Sequence, residues 1–174
     1  MLALDADCSS LAKIRPCPGV IRLCGDARRL PLANACCDLV FSQFALLWMD
    51  LSAALAEIHR VLEPDGALVA LEPDHAGLIE HPPEAATGDL WIAALARAGG
   101  NPRAGRELAA QVQSPFWEPE VLLLDRLVPP SPDRLDFLRT LPLTADEQSR
   151  LAAAAGVSCH IAHLPVFIVI ARKR

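Results

Sequence analysis

The stretch from residue 38 to residue 74 restricts the fold more than any other part of the sequence. It contains two apolar runs, DLVFSQFALLWM at 38–49 and ALVALEPD at 67–74, separated by a helix pattern at 50–66. Such runs are typical of strands buried on both faces of a parallel sheet. The β–α–β order therefore predicts an α/β fold, with helices on both faces of the sheet.

The same alternation continues in both directions along the chain. Strands are predicted at 1–4, 20–26, 118–129 and 165–174, and helices at 9–15, 85–98, 103–113, 132–141 and 144–156. Ser9 is a plausible N-cap of the first helix, Asp50 or Ser52 of the helix at 50–66, and Thr144 of the last, where Glu147 completes a capping box. We expect a single domain over 1–174, divided into an N-terminal half (1–74), a helical cap (75–117) and C-terminal strands and helices (118–174).

Composition excludes several classes of partner. The net charge of −5 and the lack of a long basic run argue against nucleic acid. No apolar run approaches the ~20 residues of a membrane helix, so we expect no membrane partner. The six cysteines include no C-x-x-C pair, which predicts reduced thiols in a cytoplasmic protein. The segment CHIAH at 159–163 lacks a second cluster of ligands, so no metal site is predicted.

Polar residues end four of the predicted strands, at Asp5, Gly25-Asp26, Ser42-Gln43 and Glu72-Pro73-Asp74. Ligands of open parallel sheets lie beyond the carboxyl ends of the strands. Acids followed by small residues suit a nucleoside, because one carboxylate accepts ribose hydroxyls and another accepts an exocyclic amine. The alternative is that these acids are ordinary exposed strand ends.

Three stretches resemble the class I S-adenosylmethionine-dependent methyltransferases. They are LDADCSSLAKIR, GDARRLPLANACCDLVFSQFALLWM and LAEIHRVLEPDGALVALEPD. The resemblance is closest to the small-molecule branch that includes the ubiquinone/menaquinone-biosynthesis and malonyl-carrier enzymes. It covers residues 2–74 closely and extends more loosely through residues 96–110, the pair of late strands and the final stretch at 165–174. It implies a Rossmann-like sheet in which 1–74 is a partial cofactor-binding half, with S-adenosylmethionine as cofactor and a small-molecule acceptor.

The resemblance also implies roles for particular residues. Asp5 matches the ribose-binding acid, Asp26 the acid facing the adenine amine, and Ala27 the backbone amide facing the ring. Gln43 and Phe44 are further cofactor-binding candidates, and Gln43 also lies where the acceptor approaches.

Two more residues are candidates on the acceptor side. Trp48 is a candidate for acceptor binding, and its alternative is core packing at a helix start. His75 is the candidate base at a strand end. Its alternative is a solvated loop histidine. The 75–117 segment would act as the lid that shapes acceptor choice.

The departures from the family are as informative as the matches. No two of the nine glycines are spaced G-x-G, and the sequence begins at what resembles the family's second strand. The first strand and its glycine-rich loop lie centrally in the family, between the second and fourth strands. Asp65 stands where the family usually has glycine, and Cys36-Cys37 replaces its usual pair before the fourth strand.

A fold without the first strand and helix leaves the edges of two buried strands unpaired, and three repairs are possible. The second strand could pair directly with the fourth; a partner protein or a second copy could supply a strand; or the chain could be N-terminally truncated. Two functions follow as expectations. One is methyl transfer to a small molecule if the glycine-rich loop is supplied. The alternative is a non-catalytic methyltransferase-like partner or regulatory subunit.

Overall fold

The computed structural model describes residues 1–124, 127 and 130–174. The strands are β1 (Leu2–Asp5), β2 (Ile21–Cys24), β3 (Cys37–Gln43), β4 (Leu62–Pro73), β5 (Ile79–His81), β6 (Trp117–Leu124), β7 (Ile161–His163) and β8 (Val166–Lys173). The helices are α1 (Cys8–Lys13), α2 (Leu51–Val61), α3 (Gly88–Arg97), α4 (Ala104–Gln111), α5 (Asp136–Thr140) and α6 (Ala145–Ala155). The strand predicted at 118–129 corresponds to β6, and its residues 125, 126, 128 and 129 lie outside the described residues.

The strands form three separate sheets. The main sheet has the order β3-β4-β8-β6, in which β3 and β4 run parallel and β8 is antiparallel to both of its neighbours. The β1-β2 pair is a second, parallel sheet, and β5-β7 is a small antiparallel one. Within the part of the chain that the structure describes, no strand pairing joins β1 to β3. Direct pairing of these two strands, one of the three repairs considered, is therefore wrong.

Local side-chain bonds set where the helices begin. Asp7, rather than the predicted Ser9, caps α1, because its carboxylate accepts hydrogen bonds from the Ser9 N–H and from the hydroxyls of Ser9 and Ser10. Asp50 caps α2 through the Ala53 N–H. The capping box of Thr144 and Glu147 at α6 is confirmed.

The turn after α2 differs from the sequence prediction. The helix ends at Val61 instead of Pro64, because Leu62 already pairs with Cys37 as the first residue of β4. Asp65 has a φ of +63°, a left-handed conformation that aspartate tolerates better than most residues. Aspartate can therefore occupy this position, where the family that the sequence resembles usually has glycine.

One face of the main sheet is covered by α2 and α4. Buried residues of both helices share a core with residues of β4 and β8. Its members include Leu51, Ala54, Leu55 and Ile58 of α2, Leu108 of α4, Leu68 and Ala70 of β4, and Val169 and Ala171 of β8. Gly105 allows α4 to approach closely, because a Cβ there would lie 2.6 Å from the carbonyl oxygen of Glu72.

The opposite face of the main sheet is apolar and only partly covered. Alternation along the strands turns the neighbours of the core residues to this face. Those on the outer strands are exposed: Leu39 by 53%, Phe41 by 60%, Leu122 by 46% and Leu124 by 51%. Those on β4 and β8, such as Val69 and Ile170, are half-buried. The two faces of this sheet are thus unequal.

A second apolar cluster lies apart from the main core. Its buried members are Leu47, Leu90, Trp91, Ala94, Leu95, Ala104, Leu135, Leu138 and Leu151. It joins α3 to α5 and α6. The segment 75–117, predicted as one cap, therefore has its two helices in different parts of the fold. Its helix α3 packs with C-terminal helices, whereas α4 lies mainly on the sheet.

Two cysteines correct the expectation of reduced thiols. Cys8 and Cys24 form a disulfide, with 5.3 Å between their Cα atoms. The register of β1 and β2 places Cys24 opposite Asp5, and Cys8 begins the helix just after that strand. The remaining cysteines, Cys17, Cys36, Cys37 and Cys159, are free thiols.

Replacing Gly105 by alanine tests the packing of α4 on the sheet. The added methyl would meet the Glu72 carbonyl and the Phe167 ring, so we expect Gly105→Ala to lower the free energy of unfolding by about 1–2 kcal/mol despite the better helix propensity of alanine. Gly88→Ala, at the start of α3 with open space around it, is the matched control and should be neutral or stabilising. Thermal unfolding measures both, and equal midpoints for the two variants would contradict the close approach.

Candidate cofactor and acceptor site

Two acids lie at the carboxyl ends of neighbouring parallel strands. Asp5 ends β1, and Asp26 follows Gly25 just after β2; the Gly25 N–H donates to the Asp5 carbonyl over 3.0 Å. One oxygen of the Asp5 carboxylate accepts from the Asp7 N–H at 2.8 Å, and the side chain is exposed. The two sequence-predicted nucleoside acids are therefore brought together at one edge of the β1-β2 sheet.

The carboxylate of Asp26 is hydrogen-bonded to the guanidinium of Arg28. Its guanidinium donates Nε to both oxygens, at 3.0 and 3.1 Å, and Nη2 to Oδ2 at 2.7 Å. These hydrogen bonds hold the pKa of Asp26 at about 2. A ligand amine therefore meets a carboxylate that is charged but already paired. Among the described residues the Ala27 N–H has no acceptor, which leaves that amide available to a ligand.

Helix α2 anchors the loop that carries Asp26 and Ala27. The Leu30 N–H donates to Glu57 at 2.8 Å, and Arg60 donates to the carbonyls of Leu30 and Leu32 at 3.0 and 2.9 Å. Arg60 is also paired with Glu57 at 2.8 Å. Sequence reasoning did not single out these two residues. Their i, i+3 spacing is a signal for a pair on one helix face, but not for the loop that the pair holds.

The second group of candidates follows β3. Gln43 ends the strand and is exposed, and Phe44 has a φ of +54° while its N–H donates to the Leu71 carbonyl at 2.9 Å. Phe44 is 43% exposed and Trp48, at the end of the 3-10 turn Leu46–Trp48, is 38% exposed. No hydrogen bond joins this group to Asp5 or Asp26 in the residues described.

Aromatic rings connect Trp48 to His75. Trp48 and Phe137 meet edge to face with centroids 6.2 Å apart, Phe137 lies 6.0 Å from Trp91, and Trp91 lies 4.7 Å from His75. Trp91 and His75 are buried, whereas Phe137 is 49% exposed. Phe137 was not predicted from sequence. Its helix, α5, lies far along the chain, and only the tertiary packing brings the ring to Trp48.

His75 is neither a solvated loop residue nor a free base. It is 6% exposed, and its Nδ1 atom has no hydrogen-bond partner in the described part of the chain. Burial lowers the pKa of His75 to about 4, and the neighbouring Asp74 only partly offsets this. Asp74 itself is paired with Arg106 at 2.5 Å. At neutral pH the imidazole is therefore uncharged and a weak base.

Comparison with known proteins agrees with this geometry. The family described as "Methyltransferase domain" matches residues 2–70. A malonyl-[acyl-carrier protein] O-methyltransferase of Pectobacterium atrosepticum is 32% identical over 143 residues, which cover 80% of this chain and 53% of that protein. A putative methyltransferase of Bacillus halodurans superposes with a TM-score of 0.71 at 14% identity, covering 99% of this chain and 82% of the other.

These similarities support a class I S-adenosylmethionine-dependent methyltransferase. The Rossmann-like methyltransferase fold expected from the sequence is confirmed. A second relative, the malonyl-[acyl-carrier protein] O-methyltransferase of Dechloromonas aromatica, is 43% identical over 75 residues, or 41% of this chain and 28% of that protein. The chain thus spans about half, or less, of the length of these curated relatives. None of its described helices is long and apolar enough to cross a membrane.

The buried imidazole of His75 gives a prediction for pH dependence. Because folding lowers its pKa from 6.5 to about 4, the unfolded chain takes up the proton first as the pH falls. Above pH 6.5 His75 is neutral in both states, and the free energy of unfolding does not depend on its protonation. Between pH 6.5 and pH 4 the free energy of unfolding falls by about 3 kcal/mol, because only the unfolded chain binds the proton. Chemical unfolding of the wild type and of His75→Phe across this range should show a smaller loss in the variant.

The exposed His160→Gln substitution is the control for that experiment and should retain the pH dependence of the wild type. If His75→Phe loses stability with falling pH as steeply as the wild type, His75 is not buried as a neutral group.

Proposed function

We propose that this chain binds S-adenosylmethionine and transfers its methyl group to a small-molecule acceptor when another polypeptide fills the gap between β1 and β3. One observation supports this most: a nucleoside-type edge, with Asp5, Asp26 and a free Ala27 amide, persists beside strands that are unpaired on one side. The cofactor supplies an activated methyl group on its sulfonium. The protein has to align the acceptor with that group and exclude water.

One group of residues would bind the cofactor, and a second group would orient the acceptor. The carboxylate of Asp5 would accept the ribose hydroxyls, while Asp26 and the Ala27 N–H would recognise the adenine edge. Phe44, Trp48 and Phe137 provide exposed aromatic surface that would orient an acceptor and keep it dry. The pKa of His75 makes it a poor general base at neutral pH, so the proposal does not require it.

The proposed partner is a second copy of this chain or another protein that adds a parallel strand. Strand β3 is hydrogen-bonded on one side only, to β4, and β1 only to β2 within the described residues. Backbone groups left unpaired at a buried edge cost about 1–3 kcal/mol each. A strand followed by a helix would pair these edges and also cover the exposed face that carries Leu39 and Phe41. A glycine-rich loop between that strand and helix would complete the cofactor site; another protein could supply this loop, whereas a second copy of this chain has no G-x-G and could only pair the strand edges.

The acceptor is proposed from the named relatives. Both of the curated relatives described above are malonyl-[acyl-carrier protein] O-methyltransferases. A malonyl thioester is therefore the first acceptor to test, with oxygen as the methylated atom. The half-exposed Trp48 and Phe137 would contact the apolar part of such a molecule.

A specific observation favours the alternative of a non-catalytic, methyltransferase-like partner. Arg28 satisfies the Asp26 carboxylate internally, with three hydrogen bonds that an adenine amine would have to displace. In a chain that no longer binds nucleosides, this ion pair would give the otherwise unpaired Asp26 carboxylate a partner. In that case the open β3 edge would serve to join and stabilise an active subunit.

Calorimetric titration with S-adenosylhomocysteine distinguishes the two functions. We expect weak binding by the chain alone, and binding at least about tenfold tighter when a peptide carrying a methyltransferase first strand and G-x-G-x-G loop is added, because charge-assisted hydrogen bonds to the methionine part are restored. Asp5→Asn should weaken binding about tenfold, and Arg28→Ala should strengthen it by freeing Asp26.

The matched control is Asp146→Asn, an exposed acid at the start of α6 that should leave binding unchanged. Absence of binding up to millimolar concentrations, with and without the peptide, would contradict the enzyme and support the non-catalytic alternative.

A further inference from the structure

Glu72 is a buried carboxylate with three backbone donors. It lies near the carboxyl end of β4 and has no exposed surface. Its Oε1 atom accepts from the N–H groups of Ala45 at 3.1 Å and Leu46 at 2.9 Å, and its Oε2 atom accepts from the Leu47 N–H at 3.2 Å. Three consecutive amides that converge on one carboxylate form an anion-binding nest built inside the fold.

A carboxylate is a costly choice for this position if its role is only to fill space. Burial raises the pKa of Glu72, and the three amides only partly oppose that effect. Well-packed apolar residues of similar volume often replace buried ion pairs without loss of stability, but Glu72 has backbone amides as its partners. What an apolar residue cannot do is accept hydrogen bonds from the turn. The side chain therefore provides a specific connection between β4 and the segment that follows β3.

The connected segment carries the ligand-facing aromatic residues. Phe44, with a φ of +54°, comes directly before the three donor amides, and Trp48 comes directly after them. The turn is also held from the other side, where the Asn101 N–H donates to the Leu47 carbonyl at 2.7 Å. A Cβ on Gly100 would lie 2.8 Å from the Trp48 ring, so one side of the ring packs closely against the Gly100 backbone.

We propose that Glu72 is a positioning residue, which fixes the turn at 45–48 and thereby sets the directions of Phe44 and Trp48 without touching a ligand. The consequence for a ligand rests on the proposed function, whereas the fixing of the turn does not. Release of the carboxylate would free three amides at once, so the turn would loosen as a unit while the rest of the main sheet stays intact.

Hydrogen exchange of the full chain, read at individual amides by NMR, tests this proposal. The Glu72→Leu variant fills a similar volume with an apolar side chain that has no hydrogen-bond acceptor. Protection of the Ala45, Leu46 and Leu47 amides should then fall about tenfold more than protection of the amides in β4 and β8. Glu72→Gln keeps one acceptor oxygen and should restore part of that protection. The exposed fraction of Trp48 should rise in parallel, which quenching of its fluorescence by iodide measures.

Leu108→Ala is the control for a purely structural effect. Leu108 is fully buried in the main core, so its truncation should lower protection across the sheet and the turn alike. If Glu72→Leu behaves like Leu108→Ala, with no selective loss at residues 45–47 and no recovery in Glu72→Gln, the positioning role is refuted.

Titration with S-adenosylhomocysteine separates this result from the proposed function. A selective loss of protection supports the role of Glu72 whether or not the wild type binds the ligand. Failure of the wild type to bind, even with the strand peptide, would count against the proposed function alone. Where the wild type binds, Glu72→Leu should bind at least about fivefold more weakly, and Glu72→Gln should lie between the two.

Discussion

The backbone hydrogen bonds of parallel strands are the constraint on which this structure depends. In an α/β sheet the central strands are bonded on both sides, and their side chains are correspondingly apolar. Here β3 has such a sequence, with Leu39, Val40 and Phe41 in succession, yet it is bonded to β4 alone in the described residues. Leu39 and Phe41 then remain exposed, as does much of one sheet face, while Val40 packs on the main core.

Charged side chains tie two loops of the described structure to regular elements. Glu57 and Arg60 of α2 hold the loop after β2, and Glu72 holds the turn after β3. In each case a charged side chain on a regular element bonds to the backbone of a loop that carries candidate site residues. The proposed site is thus preorganised by residues that do not themselves contact a ligand.

Much of the fold follows from sequence patterns, and the exceptions have local physical reasons. The periodicity of α2 and the capping box of α6 are local signals, and both were predicted correctly. The short strands β5 and β7 were missed because each has only three residues, and their pairing depends on segments about eighty residues apart. The cap of α1 was placed two residues late, because Asp7 and Ser9 are both good capping residues.

The site was only partly predictable for the same reason. Asp5 and Asp26 could be found because strand ends are visible in the sequence, and the register of β1 and β2 brings them together. Nothing local indicates that His75 is buried against Trp91 or that Phe137 lies beside Trp48. The Cys8–Cys24 disulfide likewise depends on the pairing of β1 with β2. These features arise from tertiary contacts.

The most direct test of the central claim is the exchange of backbone amides along β1 and β3 in the monomeric chain. The account predicts that amides on the sides facing away from β2 and β4 exchange fast, while those bonded to β2 and β4 are protected. It also predicts that a strand-forming peptide slows the fast set. Slow exchange at every amide of both strands in the isolated monomer would show that these edges are already paired, and would contradict the account.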